Sequence, residues 1–487
     1  MADNGSSPND GAYRFIATTV LWQRALIFLL QFIGSSFDFS TDAFPGIVTN
    51  DTNGRLDGAI LRSLRGLTRW DARHFMQIGE HGYVLEQSLA FFPGLSYAIY
   101  AASICWCTPF KILGLVSMQS AFVISGMALN TVCMVLSSLF LFFIARQVTE
   151  CRKTSLIAAI LFSMNPASIF FSAVYTESLY CMLTFAGIYF LISQGGYFTW
   201  RLAYAIVAFS LALLTRSNGI LNLGYILFYC GIELIAERGR GFFDDEPKNQ
   251  ALRIGTFFLR VGAAFSVVWF SLKKYSDWQT ARWCHPELLP SPHPVSSGVM
   301  AVARANGWTL LGDDVAWCHE RMLLSPTWYS TVQQKYWDVS ALGYWQVTKL
   351  PCFLLAAPAL LLTGICFYRM VQRMQSLSFS SFVRLRGDVF PMAIHSALLA
   401  LAALLLYNVE VFTRIVFSAS PFLYIELARW IAARTPKAEL ADVMVPRPIP
   451  FLSYLVYRRD SIGLVASYFL IYFFVGSLAH AAFLPFT

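Results

Sequence analysis

Charge is what this chain has least of. Of its 487 residues only 13% are Asp, Glu, Lys or Arg, whereas 56% are hydrophobic and the mean hydropathy is +0.54. Soluble domains carry about 25% charged residues, so a water-soluble fold is excluded and an integral membrane protein is expected. Nucleotide-binding loops are missing too: neither G-x-G-x-x-G nor G-x-x-x-x-G-K-[ST] occurs, and an ATP or sugar-nucleotide site has no support. The 10 cysteines form no C-x-x-C pair and no Cys/His cluster of zinc spacing, so no metal site is expected. There is no internal repeat, no low-complexity tract and no cleavable signal peptide ahead of Arg14; the first span is expected to stay as a signal anchor. The basic excess of +8 sits in short loops between apolar stretches, where it orients spans rather than binding nucleic acid.

What the chain does have is apolar length. Crossing ~30 Å of hydrocarbon takes roughly 20 residues of helix. Windows of that kind cover 15–36, 119–145, 155–173, 176–193, 202–214, 220–235, 254–272, 350–368, 389–407, 415–433 and 462–482. One further window, 91–110, decides the topology. If it crosses, Arg146, Arg152 and Lys153 fall opposite the cytosol; if it is half-inserted or interfacial, they join Arg201, Arg373, Arg384 and Arg434 on the cytosolic side. The positive-inside rule selects the second arrangement, with about 11 spans. The expected organisation is then all-α and polytopic, with a cytosolic tail over 1–14 and one transmembrane domain over 15–487. Two long luminal loops, 37–118 and 273–346, carry interfacial helices. Asn50-Asp51-Thr52 becomes a luminal glycosylation acceptor. Cys105, Cys133, Cys181, Cys230, Cys352 and Cys366 read as buried hydrophobes. Cys284 and Cys318 share the second loop, where an oxidising compartment permits a disulfide.

Polar groups cluster at the luminal ends of spans. Asp71 stands in Trp70-Asp71-Ala72-Arg73-His74-Phe75, followed by Glu80 and His81. On a helix Asp71, His74 and Gln77 share one side. Two readings stay open: an interfacial helix with its charges in water, or a carboxylate that takes a proton beside a lipid surface. Asp38, just past the first span, is a second candidate base. Glu177 follows the Asn165-Pro166 break, as a helix-capping carboxylate or a catalytic one. Arg216, in Thr215-Arg216-Ser217-Asn218-Gly219, and Arg414 each read as snorkelling side chains or as phosphate ligands, and Lys349 carries the same alternatives. The aromatics of the second loop, Trp308 to Trp345, anchor it at the headgroup layer or stack on sugars.

Several segments together resemble the glycosylphosphatidylinositol (GPI) mannosyltransferase II family (PIG-V). They are Trp70–Phe75 with Glu80–Tyr83, Phe91–Gly94, Asn165–Ala167 with Tyr175–Ser178, Arg216–Gly219, Phe353–Pro358 and Phe483–Pro485. Lys349–Phe353 and the terminal Phe486-Thr487 depart slightly from the family pattern. The resemblance spans nearly the whole chain and implies a GT-C glycosyltransferase of the ER membrane. Such an enzyme takes mannose from dolichyl-phosphate-mannose and adds it in α1,6 linkage, as the second mannose, to a GPI precursor glycolipid. The likeness further implies inversion, with no metal and no cofactor beyond the lipid-linked donor. It casts Asp71 as base; the residues themselves leave Asp38 as runner-up base and His74 and Glu177 as groups that orient the acceptor or the base, to which the likeness gives no role of its own. Arg216, Arg414 and Lys349 would hold the donor phosphate, while Trp70, Arg73, Glu80, His81 and Asn218 would position the acceptor. ER lipids, donor and glycolipid are the implied partners; a protein subunit cannot be read. The rival readings are a lipid scramblase or transporter, a structural assembly subunit, and a transferase using another dolichyl-phosphate sugar. Transporters favour paired repeats, which this chain lacks.

Overall fold

Apolar windows become helices almost throughout. The computed structural model describes residues 8–39, 54–193, 200–237, 240–241, 246–285, 297–319, 326–385, 387–435 and 455–484. The first helix, α1, begins at Pro8 rather than at residue 15 and runs to Gly34. The first polar loop folds into α2 (Asp57–Ser63), α3 (Ala72–His81) and α4 (Pro93–Ile112). The bundle continues with α5 (Met118–Thr149), α6 (Arg152–Ser163), α7 (Glu177–Ile192), α8 (Trp200–Thr215), α9 (Leu223–Ile235) and α10 (Pro247–Cys284). At 38 residues α10 is about 57 Å long, far more than a bilayer needs, so it carries the chain well into the second polar loop. That loop holds α11 (Ser297–Ala305) and α12 (Thr327–Trp337). The remaining helices are α13 (Leu350–Gln375), α14 (Phe379–Arg384), α15 (Phe390–Leu405), α16 (Phe412–Ala419), α17 (Phe422–Arg434), α18 (Ser461–Ile471) and α19 (Ser477–Ala481).

Six described helices are long and apolar enough to cross a membrane, or seven if the α16–α17 pair, bent by 72°, is one span. The number of about 11 expected from sequence is therefore not reproduced by length alone. Polar interruptions account for this. Ser420-Pro421 separates α16 from α17, and Asn165-Pro166 ends α6, splitting the expected span 155–173. Three further apolar helices, α7, α8 and α15, are shorter. The helix over the ambiguous window, α4, is not among the six. Gly94 at its start lies against Thr215 at the end of α8, where an added Cβ would meet Thr215 Oγ1 at 2.6 Å. Its other end hands over to the start of α5 through Leu113–Ser117. Ile99 lies against Gly126 and Trp106 Nε1 donates to Ser125 Oγ at 2.8 Å, so α4 packs along the first part of α5.

Breaking a helix at membrane depth frees backbone groups that no water can satisfy. Arg24 of α1 meets that need. Its guanidinium is buried and donates to the carbonyls of Ser163 and Ser168, each at 2.9 Å, and to Ser172 Oγ at 3.0 Å. Asn165 donates to the Phe162 carbonyl at 2.8 Å, and Asn130 of α5 donates to the carbonyls of Ala173 and Tyr175. The irregular chain from 164 to 176 is thereby held rigidly between α1, α5 and α7. Cys133, Cys181, Cys230 and Cys366 are buried as expected, but Cys105 is exposed and Cys352 half-buried.

Ion pairs tie the chain together at both ends of the bundle. At the end of α5, α13 and α17, Arg373 and Arg429 bridge the buried carboxylates Asp388 and Glu426, Arg384 binds Glu150 and Lys153 donates to the Thr435 carbonyl. The other end carries the two polar loops, which lock together. Glu86 accepts from Trp317 Nε1 (3.0 Å), Lys335 Nζ (2.5 Å) and Tyr336 Oη (2.9 Å), and Cys284 is disulfide-bonded to Cys318 across a Cα separation of 5.5 Å. Burial pushes the Glu86 carboxyl up, but the bonds from Lys335, Tyr336 and Trp317 outweigh it and leave the group below its ordinary pKa.

Arg24→Leu removes three hydrogen-bond donations and strands the carbonyls they satisfied. We expect a loss of about 3 kcal/mol, read as a lowered midpoint of thermal unfolding in detergent, with Arg24→Lys intermediate. An unchanged midpoint for Arg24→Leu would show that the broken segment is held by other means.

Candidate functional site

Between α3, α7, α8, α12 and α16 lies a cavity of about 450 Å³. Its polar floor is built from four chain breaks. Asp71 stands immediately before α3, after Trp70, whose φ of 54° turns the chain sharply. Tyr175 reinforces the turn: its hydroxyl accepts from the Asp71 amide at 3.1 Å and donates to the Arg69 carbonyl at 3.3 Å. Glu177 is the first residue of α7, where the helix dipole favours an anion. Arg216 leaves the end of α8 in extended backbone, and Gly219 lets that chain turn back against Leu213, where no Cβ would fit. Arg414 lies in the first turn of α16.

These four side chains form one ionic chain. Arg414 Nη1 donates to Asp71 Oδ2 at 2.7 Å, and its Nε lies 3.1 Å from Glu177 Oε1. The same Glu177 oxygen binds Arg216, which also donates to Thr176 Oγ1 at 3.1 Å. Glu177 is wholly buried, while the Asp71 side chain keeps 32% of its exposure and faces the cavity. The Arg414 guanidinium packs against the adjoining rings of Phe170 and Tyr175, at 5.3 and 5.4 Å. Burial pushes the Asp71 carboxyl up, but Arg414, its hydrogen bond, and then His74 and Arg216 pull it down further, so it stays below the ordinary Asp value. His74 is stacked on Phe91, with ring centroids 4.4 Å apart. Burial pushes its pKa down to about 4, against the opposing pull of Asp71 and with a smaller push from Arg73. It is neutral at physiological pH.

The cavity thus offers a carboxylate, two guanidinium groups and a neutral imidazole. Aromatic rings of Trp70, Phe91, Trp337 and Tyr407 surround them, and one wall is made apolar by Leu399, Val411 and Ile415. Such a site can bind a phosphate and a sugar beside an apolar chain, and can take a proton from a hydroxyl. Among the described residues no three His, Cys, Asp or Glu side chains are grouped as metal ligands.

A model of the mannosyltransferase (PIG-V) family matches residues 14–487. The chain belongs to that family. It is 28% identical to the GPI mannosyltransferase pigv-1 of Caenorhabditis elegans, over 97% of this chain and 81% of the relative. It is 27% identical to the GPI alpha-1,6-mannosyltransferase 2 of Homo sapiens, over 99% of this chain and 100% of the relative. Among solved structures, ArnT of Cupriavidus metallidurans, bound to undecaprenyl phosphate, is similar with a TM-score of 0.41 and 12% identity, over 95% of this chain and 77% of that one.

Of the residues singled out in this PIG-V sequence, the cavity gathers Trp70, Asp71, His74, Glu177, Arg216, Asn218 and Arg414. Both polar atoms of the Asn218 amide are buried without a hydrogen-bond partner. Others lie elsewhere. Asp38 pairs with Arg65 and Arg69, which places the alternative base outside the cavity. The Arg73 guanidinium covers the Phe483 ring at 4.8 Å, and Lys349 covers the Tyr344 ring at 5.0 Å. Glu80 and His81 sit side by side near the end of α3, away from the cavity lining. Asn50 falls outside the described residues. Sequence reasoning missed Glu410, Asn408 and Gln333, all of which line the cavity. Glu410 stands four residues before Arg414, a spacing that was there to read.

Glu177→Gln keeps the shape but leaves two buried guanidiniums with one carboxylate. We expect a destabilisation of about 3 kcal/mol in detergent unfolding together with loss of turnover. The His74 shift gives a second test. As pH falls from 6.5 toward about 4, the unfolded chain takes up a proton at His74 that the folded chain does not, so stability falls with pH. His74→Phe, which keeps the ring stack, should flatten that part of the unfolding midpoint between pH 4 and 7.

Proposed function

We propose that this PIG-V family mannosyltransferase transfers mannose from dolichyl-phosphate-mannose to the mannosyl-glucosaminyl-phosphatidylinositol precursor of GPI anchors. The new linkage is α1,6 and the product carries the second mannose. The reading rests on the shown family and on the names of the relatives; the observation that carries the mechanism is the Asp71–Arg414–Glu177–Arg216 chain on the cavity floor.

In this reading the donor phosphate lies on Arg414 and Arg216, and its isoprenoid runs along the apolar wall. The acceptor 6-hydroxyl attacks the anomeric carbon in line with the departing phosphate, so the β-linked donor gives an α product. The carbon–oxygen bond to the phosphate breaks, dolichyl phosphate leaves with the electron pair, and Asp71 takes the hydroxyl proton. The arginines stabilise charge that grows on the leaving phosphate. The low pKa of Asp71 fits an order of events. With no donor, Arg414 holds the carboxylate and makes it a poor base; a bound phosphate draws on the same guanidinium and restores its basicity.

The same reading puts the cavity and both polar loops in the ER lumen and the arginine-rich opposite end in the cytosol. What supports it is the run of basic residues at that end, Arg146, Arg152, Lys153, Arg369, Arg373, Arg384 and Arg434.

Asp71→Asn, inserted and folded at wild-type level, should reduce elongation of a one-mannose precursor by about 10²–10⁴-fold in microsomes supplied with dolichyl-phosphate-mannose. Full elongation by this variant would remove Asp71 from the chemistry. Lipid movement by the purified protein in vesicles with no sugar donor would favour the scramblase alternative instead.

A further inference from the structure

The cavity carries one carboxylate that the ionic chain does not use. Glu410 lies in the turn Val409–Val411 that leads into α16, about one helical turn ahead of Arg414. Its Oε1 accepts from the Tyr344 hydroxyl and from the Cys352 thiol at 3.2 Å, so two neutral donors orient it without cancelling its charge. Among the described residues Glu410 makes no ion pair, and Lys349 is turned onto the Tyr344 ring instead. Oε2 is left without a hydrogen bond there. Asp71 and Glu177 are matched by Arg414 and Arg216, and His74 is neutral, so the cavity's surplus charge is the negative charge of Glu410.

A surplus carboxylate inside a substrate cavity selects for a cation. Taking the reading of the acceptor given above, on which this step rests, mannose and inositol are neutral and the lipid phosphates of donor and acceptor are anionic. The one cationic group in the reaction is the free amine of the glucosamine, which adjoins the mannose being extended. Glu410 lines the same cavity as Asp71, beside Tyr407 and Asn408. We propose that Glu410 receives the protonated amine of the acceptor glucosamine and makes the enzyme selective for free-amine glycolipid over its N-acetylated counterpart. The amine donates to Oε2, a charge-assisted bond that the acetamide cannot replace.

The test uses the full-length enzyme in detergent with dolichyl-phosphate-mannose and two synthetic acceptors, mannosyl-glucosaminyl- and mannosyl-N-acetylglucosaminyl-phosphatidylinositol. Wild type should favour the free amine by about 10–100-fold in kcat/KM, mainly through KM, as expected for one hydrogen bond to a charged group. Glu410→Gln should bring that ratio close to one, and Glu410→Asp should restore part of it. Equal use of both acceptors by wild type overturns the proposal without any variant. A preference that survives in Glu410→Gln is steric rejection of the acetyl group and overturns it too. Mannose incorporated into neither acceptor by wild type would instead overturn the acceptor reading itself, and this proposal with it.

Discussion

A carboxylate with no exposure to water holds two guanidinium groups at once, and the site depends on that arrangement. Glu177 alone would be costly to bury, and so would Arg414. Together with Arg216 and Asp71 they form a neutral set of two acids and two bases, drawn from four separate stretches of chain. Each stretch is a point where regular helix stops. The start of α7, the end of α8, the start of α16 and the turn before α3 are brought within hydrogen-bond reach of one another. Removing any one charge leaves the others unbalanced where water is scarce, so the geometry of the cavity floor and its local stability are the same interaction.

Arginine does three different jobs in this molecule, and its surroundings decide which. Arg24 faces carbonyl oxygens released by a broken helix and acts as a structural donor at membrane depth. Arg373 and Arg429 face Asp388 and Glu426, and tie α13, α15 and α17 together. Arg216 and Arg414 face carboxylates too, but beside an open cavity lined by aromatic rings. There a ligand has room to compete for their hydrogen bonds. The cavity, more than the ion pair, marks the functional site.

This contrast explains what could be read from sequence. Hydropathy located the helices well, because apolar runs of this length have few alternatives in a membrane. It misjudged continuity where Asn165-Pro166 and Ser420-Pro421 interrupt a run, since a window average does not register one break. Asp71, Glu177, Arg216 and Arg414 stood out because charge is rare in apolar surroundings. Their convergence was not legible, as it depends on pairings between residues as far apart as 71 and 414. Asp38 and Lys349 show the reverse: their positions at span ends suggested the site, yet local partners claim both. Glu410 gave no such signal, since an acid at the polar edge of an apolar run is an ordinary feature of a span's end.

The cavity is also made by two kinds of structure that have no reason to stay together unless they are fastened. Its floor and apolar wall come from bundle helices, whereas α12 of the second loop supplies Tyr329, Gln333 and Trp337. Tyr329 reaches Ser217, beside Arg216, at 2.6 Å, and Gln333 donates to the same hydroxyl at 3.0 Å. That contact alone would hold a short helix weakly. Glu86 adds Lys335 and Tyr336 near the C-terminal end of α12, and Trp317 connects it to the disulfide-bonded segment. A buried carboxylate with three donors is expensive to leave unpaired, so α12 is fixed near both of its ends. The wall that α12 supplies therefore keeps its distance from the floor of arginines and carboxylates.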